Sequence, residues 1–202
     1  MNVEEEQERL DTWAEALSSQ GYLVAEPLPP TLLLALQRRS KQVHYQPAQV
    51  GRQHKRLDPQ IRSDRIAWTN AGQGVDAQWM QWLDGLQRGL NQRLFLGLAQ
   101  HESHYAWYPP GASYQRHRDA FATPGHSNRV VSLVLYLNAS WPEHSGGELV
   151  LYPNAPDGSE PLAKLEPSPG RMVLFMSAEL PHQVLPGQQD RYSLAAWFRG
   201  FS

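Results

Sequence analysis

Cysteine is absent from the chain. That excludes disulfide staples, a thiol nucleophile and every Cys-type zinc site. Excess charge is nearly absent too. A formal net charge of -2 leaves the whole chain without an electrostatic footprint for nucleic acid or an anionic membrane. Long apolar runs are missing. The longest near the start, Leu32 to Leu36, falls far short of the roughly 20 residues that cross a bilayer. The opening Met1-Asn2-Val3-Glu4-Glu5-Glu6 is acidic and lacks the basic-then-apolar order of a signal peptide, so a cytoplasmic location is the expectation. No internal repeat or low-complexity segment interrupts the 202 residues, and 41% hydrophobic content with seven Trp suffices for a sizeable core. The expectation is one domain over 1–202, with helical support in 1–100 and a β-rich core in 101–200.

The first half reads as helices with little sheet. Leu10, Trp13, Ala14 and Leu17 recur at helical spacing and predict an amphipathic helix over 3–19, stopped at Gly21. Tyr22-Leu23-Val24-Ala25 reads as a short strand. Pro27, Pro29 and Pro30 precede a second helix over about 31–39, since proline is tolerated in a first turn. Residues 40–60 are polar and without period, and read either as a solvated loop or as a mobile loop that grips a substrate. A strand is expected over 61–68. Asp76 can cap a long helix over about 77–97, striped by Trp79, Trp82, Leu83, Leu86, Leu90 and Leu94, with Gly85 and Gly89 allowing close packing on a sheet.

From residue 101 the texture changes. Short runs rich in Val, Leu, Tyr, Phe and Trp alternate with Pro, Gly, Asn and Asp. About eight strands are expected, near 102–108, 114–119, 129–137, 147–152, 161–165, 171–176, 181–184 and 191–199. Strands of this length and spacing suggest a sandwich or barrel, best a jelly roll, with the helices packed outside, so an α+β fold.

The residues with chemistry lie in this half. His117 and Asp119 form the only His-x-Asp in the chain. In an extended segment both project from one face. A second histidine from a distant strand would complete a chelate, and His182 is the best candidate. Two histidines and one carboxylate on one face of an octahedral cation are the ligand set of non-haem Fe(II) oxygenases. Arg191 opens the strongly β-prone run Tyr192 to Phe198. Buried there, it would need an anion, from a protein carboxylate or from a dicarboxylate cosubstrate gripped in two-point fashion with a Tyr hydroxyl adding a third bond.

In order and spacing, Trp107-Tyr108-Pro109, Tyr114-x-x-His117-x-Asp119, Leu135-Tyr136-Leu137-Asn138, Ser145-Gly146-Gly147-Glu148-Leu149, Pro181-His182-x-Val184 and Arg191-Tyr192-Ser193 resemble the Fe(II)/2-oxoglutarate oxygenases. The branch they resemble is that of the prolyl hydroxylases, which includes the animal hypoxia-sensing enzymes and their bacterial relatives. The match extends upstream to Ile61-Arg62-x-Asp64-x-x-x-Trp68 and covers roughly 20–200. The resemblance implies a double-stranded β-helix. It implies Fe(II) on His117, Asp119 and His182, and 2-oxoglutarate held at its distal carboxylate by Arg191 and Tyr136, with Tyr108 beside its chelating end. O2 is the other cosubstrate, and ascorbate a candidate auxiliary reductant. Trp197, Tyr114, Arg129 and Trp68 match positions that line the substrate pocket, and by the upstream match Arg62 and Asp64 are expected to bind substrate with them. The 42–60 segment falls where the family has a loop that closes over its protein substrate. Ala195 departs from the animal enzymes, which carry Thr at the matching position.

The resemblance implies a cytosolic protein substrate bearing the target proline, with elongation factor Tu a candidate; the charge balance and the lack of a long apolar run argue for no membrane partner and no direct nucleic-acid partner. Two alternatives stay open: an oxygenase of a small molecule or free amino acid, and a non-catalytic cupin-like metal-binding domain. A zinc hydrolase fits worse, for want of a spare carboxylate as general base. Arg38, Arg39, Lys41, Arg52, Lys55, Arg56, Arg62 and Arg65 form either one basic patch for an acidic or RNA-bound protein, or an ordinary solvated face.

Overall fold

The computed structural model describes residues 3–49, 57–120, 128–155 and 158–201. The described elements run α1 (Val3–Gln20), β1 (Tyr22–Ala25), α2 (Pro30–Ser40), β2 (Gln46–Pro47), β3 (Arg65–Trp68), α3 (Gly74–Leu94), β4 (Leu98–Tyr108), β5 (Tyr114–His117), β6 (Arg129–Tyr136), β7 (Leu149–Leu151), β8 (Ala163–Leu165), β9 (Met172–Met176), β10 (His182–Val184) and β11 (Arg191–Gly200). A seven-stranded antiparallel sheet has the order β1-β9-β6-β11-β4-β3-β2, and a four-stranded sheet has β5-β10-β7-β8. Together they form the expected double-stranded β-helix, with three helices on the outer face of the larger sheet. All eight strands expected after residue 101 are present, shifted by a few residues at their ends.

Strand alternation divides the larger sheet between two duties. Tyr105, Val131, Leu133, Leu135, Leu194, Ala196 and Phe198 face the helices and bury against Leu10, Trp13, Leu17, Leu36, Trp79, Leu83, Leu86 and Leu90. The opposite parity faces the smaller sheet. There Tyr108, Tyr136, Val173 and Phe175 pack with Leu149, Leu151, Leu180 and Val184. The helices thus brace one face while the other is free to build a site. Trp79 ties the layers together: its Nε1 donates to Ser103 Oγ at 2.9 Å, and Ser103 Oγ donates to the Ala195 carbonyl at 2.9 Å.

Several local expectations are corrected. Asp76 does not cap α3. The N-cap is Gln73, and Asp76 lies inside the first turn, buried. Its carboxylate accepts from the Asn70 amide at 2.9 Å and the Tyr105 hydroxyl at 2.7 Å. These tertiary partners outcompete the local cap. Gly89 serves packing against α1 rather than a sheet: a Cβ there would lie 2.8 Å from Leu10 Cδ1. The helix ends at Leu94, earlier than expected, where Phe95 takes a left-handed conformation. Of the strand expected over 61–68, only Arg65–Trp68 forms β3; Ile61 to Asp64 precede it and hold one isolated bridge, Arg62 to Tyr114. The polar 40–60 segment contains β2, and its residues 50–56 lie outside the described residues.

Candidate active site

Register brings the first two site residues together. In the antiparallel pair of β5 and β10, His117 stands directly opposite His182. Cross-strand neighbours of this kind have Cβ atoms about 4.5–5.5 Å apart. Asp119 follows just past the end of β5 on the face of His117. The donor atoms of His117, Asp119 and His182 all lie within 4.8 Å of one another. His117 Nε2 is 3.7 Å from Asp119 Oδ1, and His182 Nε2 is 3.6 Å from Asp119 Oδ2.

Their surroundings set the protonation that metal binding needs. The Gln115 carbonyl lies 2.7 Å from His117 Nδ1, and the Leu180 carbonyl 3.1 Å from His182 Nδ1. A carbonyl only accepts, so each Nδ1 carries the proton and each Nε2 lone pair turns to the third group. Burial, reinforced by His117, pushes His182 down to about 4, which keeps it neutral. Burial also opposes ionisation of Asp119, but His182, His117 and Arg129 outweigh it and hold this carboxyl well below the usual range. Ser132 Oγ donates to Asp119 Oδ2 at 2.7 Å and lies 2.8 Å from Ser177 Oγ. Tyr114 stacks on His117 at 3.6 Å, and Phe175 meets His182 edge-on at 4.7 Å. Two imidazoles with Nε2 turned inward and one ionised carboxylate, each oriented by a second partner, fit a divalent first-row cation.

The triad lines a cavity of about 1140 Å³. Arg191 enters the same cavity from the start of β11, opposite Tyr108 on β4. Asn138 holds it there: its Nδ2 donates to the Asp190 carbonyl and its Oδ1 accepts from the Tyr192 amide, both at 2.7 Å. Gly147 admits it, since a Cβ at that position (φ +76°) would lie 3.0 Å from Trp141 and 3.5 Å from Arg191 Cδ. The guanidinium sits 4.8 Å from the Tyr108 ring and 4.9 Å from the Tyr136 ring. Arg191 is 2% exposed and Tyr136 is fully buried. Among the described residues, Arg191 Nε finds no hydrogen-bond partner, and the Tyr136 hydroxyl has only the Arg191 guanidinium beside it. Such groups are costly unless an anion meets them, and a carboxylate fits both donors.

The remaining sequence candidates divide. Trp197, Arg129, Tyr114, Arg62 and Trp68 all line the cavity. Arg129 lies 3.7 Å over the Trp197 ring and pairs with Glu102 at 2.6 Å. Arg62 covers Tyr114 at 4.7 Å. Asp64 does not line the cavity. It is buried behind Arg62 and fixes it by two bonds of 2.6 and 2.8 Å. Of the basic residues between 38 and 65, Arg52, Lys55 and Arg56 lie outside the described residues; among the others Arg39 pairs with Asp76 and Arg62 with Asp64, and Lys41 and Arg65 lie over the rings of Tyr192 and Trp107.

Sequence reasoning missed Ser132, Glu102 and His104. His104 is buried in the cavity wall beside Trp68 and Trp197, paired across the sheet with Ala195. Burial, with Arg62 adding, lowers it to about 4. The signal was parity: 102, 104 and 106 share the inward face of Tyr108 on one strand.

Residues 103–199 match the model of the 2OG-Fe(II) oxygenase superfamily. A Pseudomonas putida prolyl-4-hydroxylase is similar at 38% identity, over 96% of this chain and 100% of that one, with a TM-score of 0.81. A Trichoplax adhaerens prolyl hydroxylase, solved with a peptide fragment of the hypoxia-inducible factor oxygen degradation domain, is similar at 26% identity, over 98% and 94%, with a TM-score of 0.83.

Proposed function

The chain belongs to the prolyl hydroxylase family of Fe(II)/2-oxoglutarate oxygenases, and from that premise we propose that it hydroxylates a proline of a cytosolic protein. It is a dioxygenase with Fe(II) as its metal and 2-oxoglutarate and O2 as cosubstrates. Bound together, these supply the oxidising chemistry, in which O2 delivers one oxygen atom to a C–H bond and the other to 2-oxoglutarate, released as succinate and carbon dioxide.

In this reading His117, Asp119 and His182 would hold the metal, which would supply the site at which cosubstrate and O2 react. Their carbonyl and Ser132 partners keep the lone pairs aimed and the carboxylate ionised. Arg191 takes the distal carboxylate of 2-oxoglutarate, with Tyr136 as a further donor, and Tyr108 packs along the cosubstrate. Arg129, Trp197, Trp68, Tyr114 and Arg62 receive the substrate chain, and Asp64 keeps Arg62 in place. The carrying observation is that a metal-competent triad and a buried guanidinium with no carboxylate partner among the described residues share one cavity. A protein substrate is favoured over a free amino acid by the cavity itself. At about 1140 Å³ it exceeds the usual small-molecule range of about 300–1,000 Å³, and Trp68 stands 57% exposed at one wall.

The test is incubation with Fe(II), 2-oxoglutarate and candidate proteins, elongation factor Tu among them, followed by peptide mass spectrometry. A mass gain of one oxygen atom on a proline supports the proposal. Succinate release with free proline and none with proteins would replace it with the small-molecule reading.

A further inference from the structure

Most of the arginines lining the cavity are already answered by a carboxylate. Arg39 pairs with Asp76 at 3.6 Å and Arg62 with Asp64 at 2.6 Å. Arg129 and Arg199 approach Glu102 at 2.6 and 4.0 Å. Two lack such a partner among the described residues. One is Arg191, which the proposed function assigns to the cosubstrate. The other is Arg118.

Arg118 lies between His117 and Asp119 in the chain and lines the cavity that holds them. Its Nη2 donates to Asn154 Oδ1 at 2.6 Å, a neutral acceptor that fixes the fork without cancelling its charge. Its Nε is buried with no hydrogen-bond partner among the described residues. A cavity-lining guanidinium anchored by a neutral amide, with no carboxylate among the described residues, is pre-organised to receive one. Cosubstrate does not answer it, because the distal carboxylate of 2-oxoglutarate is already assigned to Arg191.

We propose that Arg118 is a substrate-docking residue, and that the protein substrate carries an Asp or Glu side chain at a fixed offset from its target proline which pairs with it. This rests on the prolyl hydroxylase reading and adds a specificity rule to it. Formation of the pair costs little pre-ordering, because Asn154 already holds the fork.

The test uses a combinatorial library of proline-centred peptides, C-terminally amidated so that any carboxylate comes from a side chain. Asp/Asn and Glu/Gln pairs are placed at each position flanking the proline, and oxygen gain on proline is read by mass spectrometry. The wild-type enzyme is expected to modify acidic members at one offset about tenfold or more faster than their amide partners. That gap should shrink in high salt. Arg118→Gln should erase it, and Arg118→Glu should turn the preference towards Lys at the same offset. Ratios within one variant are immune to partial misfolding, and the salt series needs no variant. Equal rates for acidic and amide members, or a gap that survives Arg118→Gln, would overturn the proposal while leaving prolyl hydroxylation intact. Consumption of 2-oxoglutarate with no proline modified anywhere in the library would instead sink the prolyl reading and this rule with it.

Discussion

Replacing Arg191 with methionine should make the ligand-free protein more stable and nearly blind to 2-oxoglutarate. Arg191 as a whole residue is 2% exposed, and its Nε has no partner among the described residues. An unpaired buried ion carries an effective penalty of several kcal/mol. Its two ring contacts, at 4.8 and 4.9 Å, return about 1–2 kcal/mol. A residual cost of about 2 kcal/mol is then relieved by a side chain of similar length and no charge, which at this chain size raises the melting midpoint by about 4–8 °C. The loss on the ligand side is larger. Two charge-assisted hydrogen bonds, at about 1.5 kcal/mol or more each, correspond to a weakening of 2-oxoglutarate by about two orders of magnitude.

The assay is thermal unfolding followed by tryptophan fluorescence, with Mn(II) in place of Fe(II) so that no turnover occurs. At about 100 times the wild-type Kd, 2-oxoglutarate should stabilise the wild type by about 2.7 kcal/mol and the variant by only about 0.4 kcal/mol. The reasoning has two separate points of failure. A variant that melts below the wild type without ligand would mean that the guanidinium is already compensated. A variant that keeps the ligand-induced shift would mean that the carboxylate binds elsewhere.

Three further outcomes are expected. Ser132→Ala removes the donor to Asp119 Oδ2 and strands Ser177; metal affinity should fall about 10–100-fold by Mn(II) titration, as is usual for loss of a group that orients a ligand. Gly147→Ala forces a left-handed residue against Trp141 and Arg191; it should cost about 1–2 kcal/mol in urea unfolding from the backbone alone and also weaken 2-oxoglutarate. His104 is held at about 4 by burial, below its ordinary value near 6.5, so the unfolded chain binds the extra proton first. The stability this residue contributes is complete above about pH 6.5 and is lost as pH falls towards 4; His104→Gln should flatten that part of the urea-midpoint profile.

The fold was legible wherever one face of an element is apolar and the other is not. The Leu10, Trp13, Ala14 and Leu17 stripe and the Trp79 to Leu94 stripe both became helix faces buried on the larger sheet. The β-prone runs from 129 and from 191 became β6 and β11, paired with each other in its middle. Illegible were features whose cause lies in another element. Asp76 looks like a cap in isolation, but Tyr105 and Arg39 reach it only once β4 and α2 are in place. Gly89 looks like a concession to a sheet, yet the side chain that needs the space is Leu10, on α1.

The site divides along the same line. His117 and Asp119 are two apart on one strand end, and any reader of strand periodicity brings them together. His182 required a register, and what sets it is the pairing of β10 with β5 on one side and β7 on the other. Carbonyl partners such as Gln115 and Leu180 leave no trace in side-chain identity, because every residue carries a carbonyl. Arg118 shows the opposite limit. Its identity is visible in the sequence, but its significance is a difference: it matters because Arg39, Arg62, Arg129 and Arg199 have carboxylates nearby and it has Asn154. Charge counting along the chain cannot find such a residue, since the net charge of -2 already balances. Only the spatial pairing of each guanidinium separates the cations committed to the fold from those still able to receive a ligand.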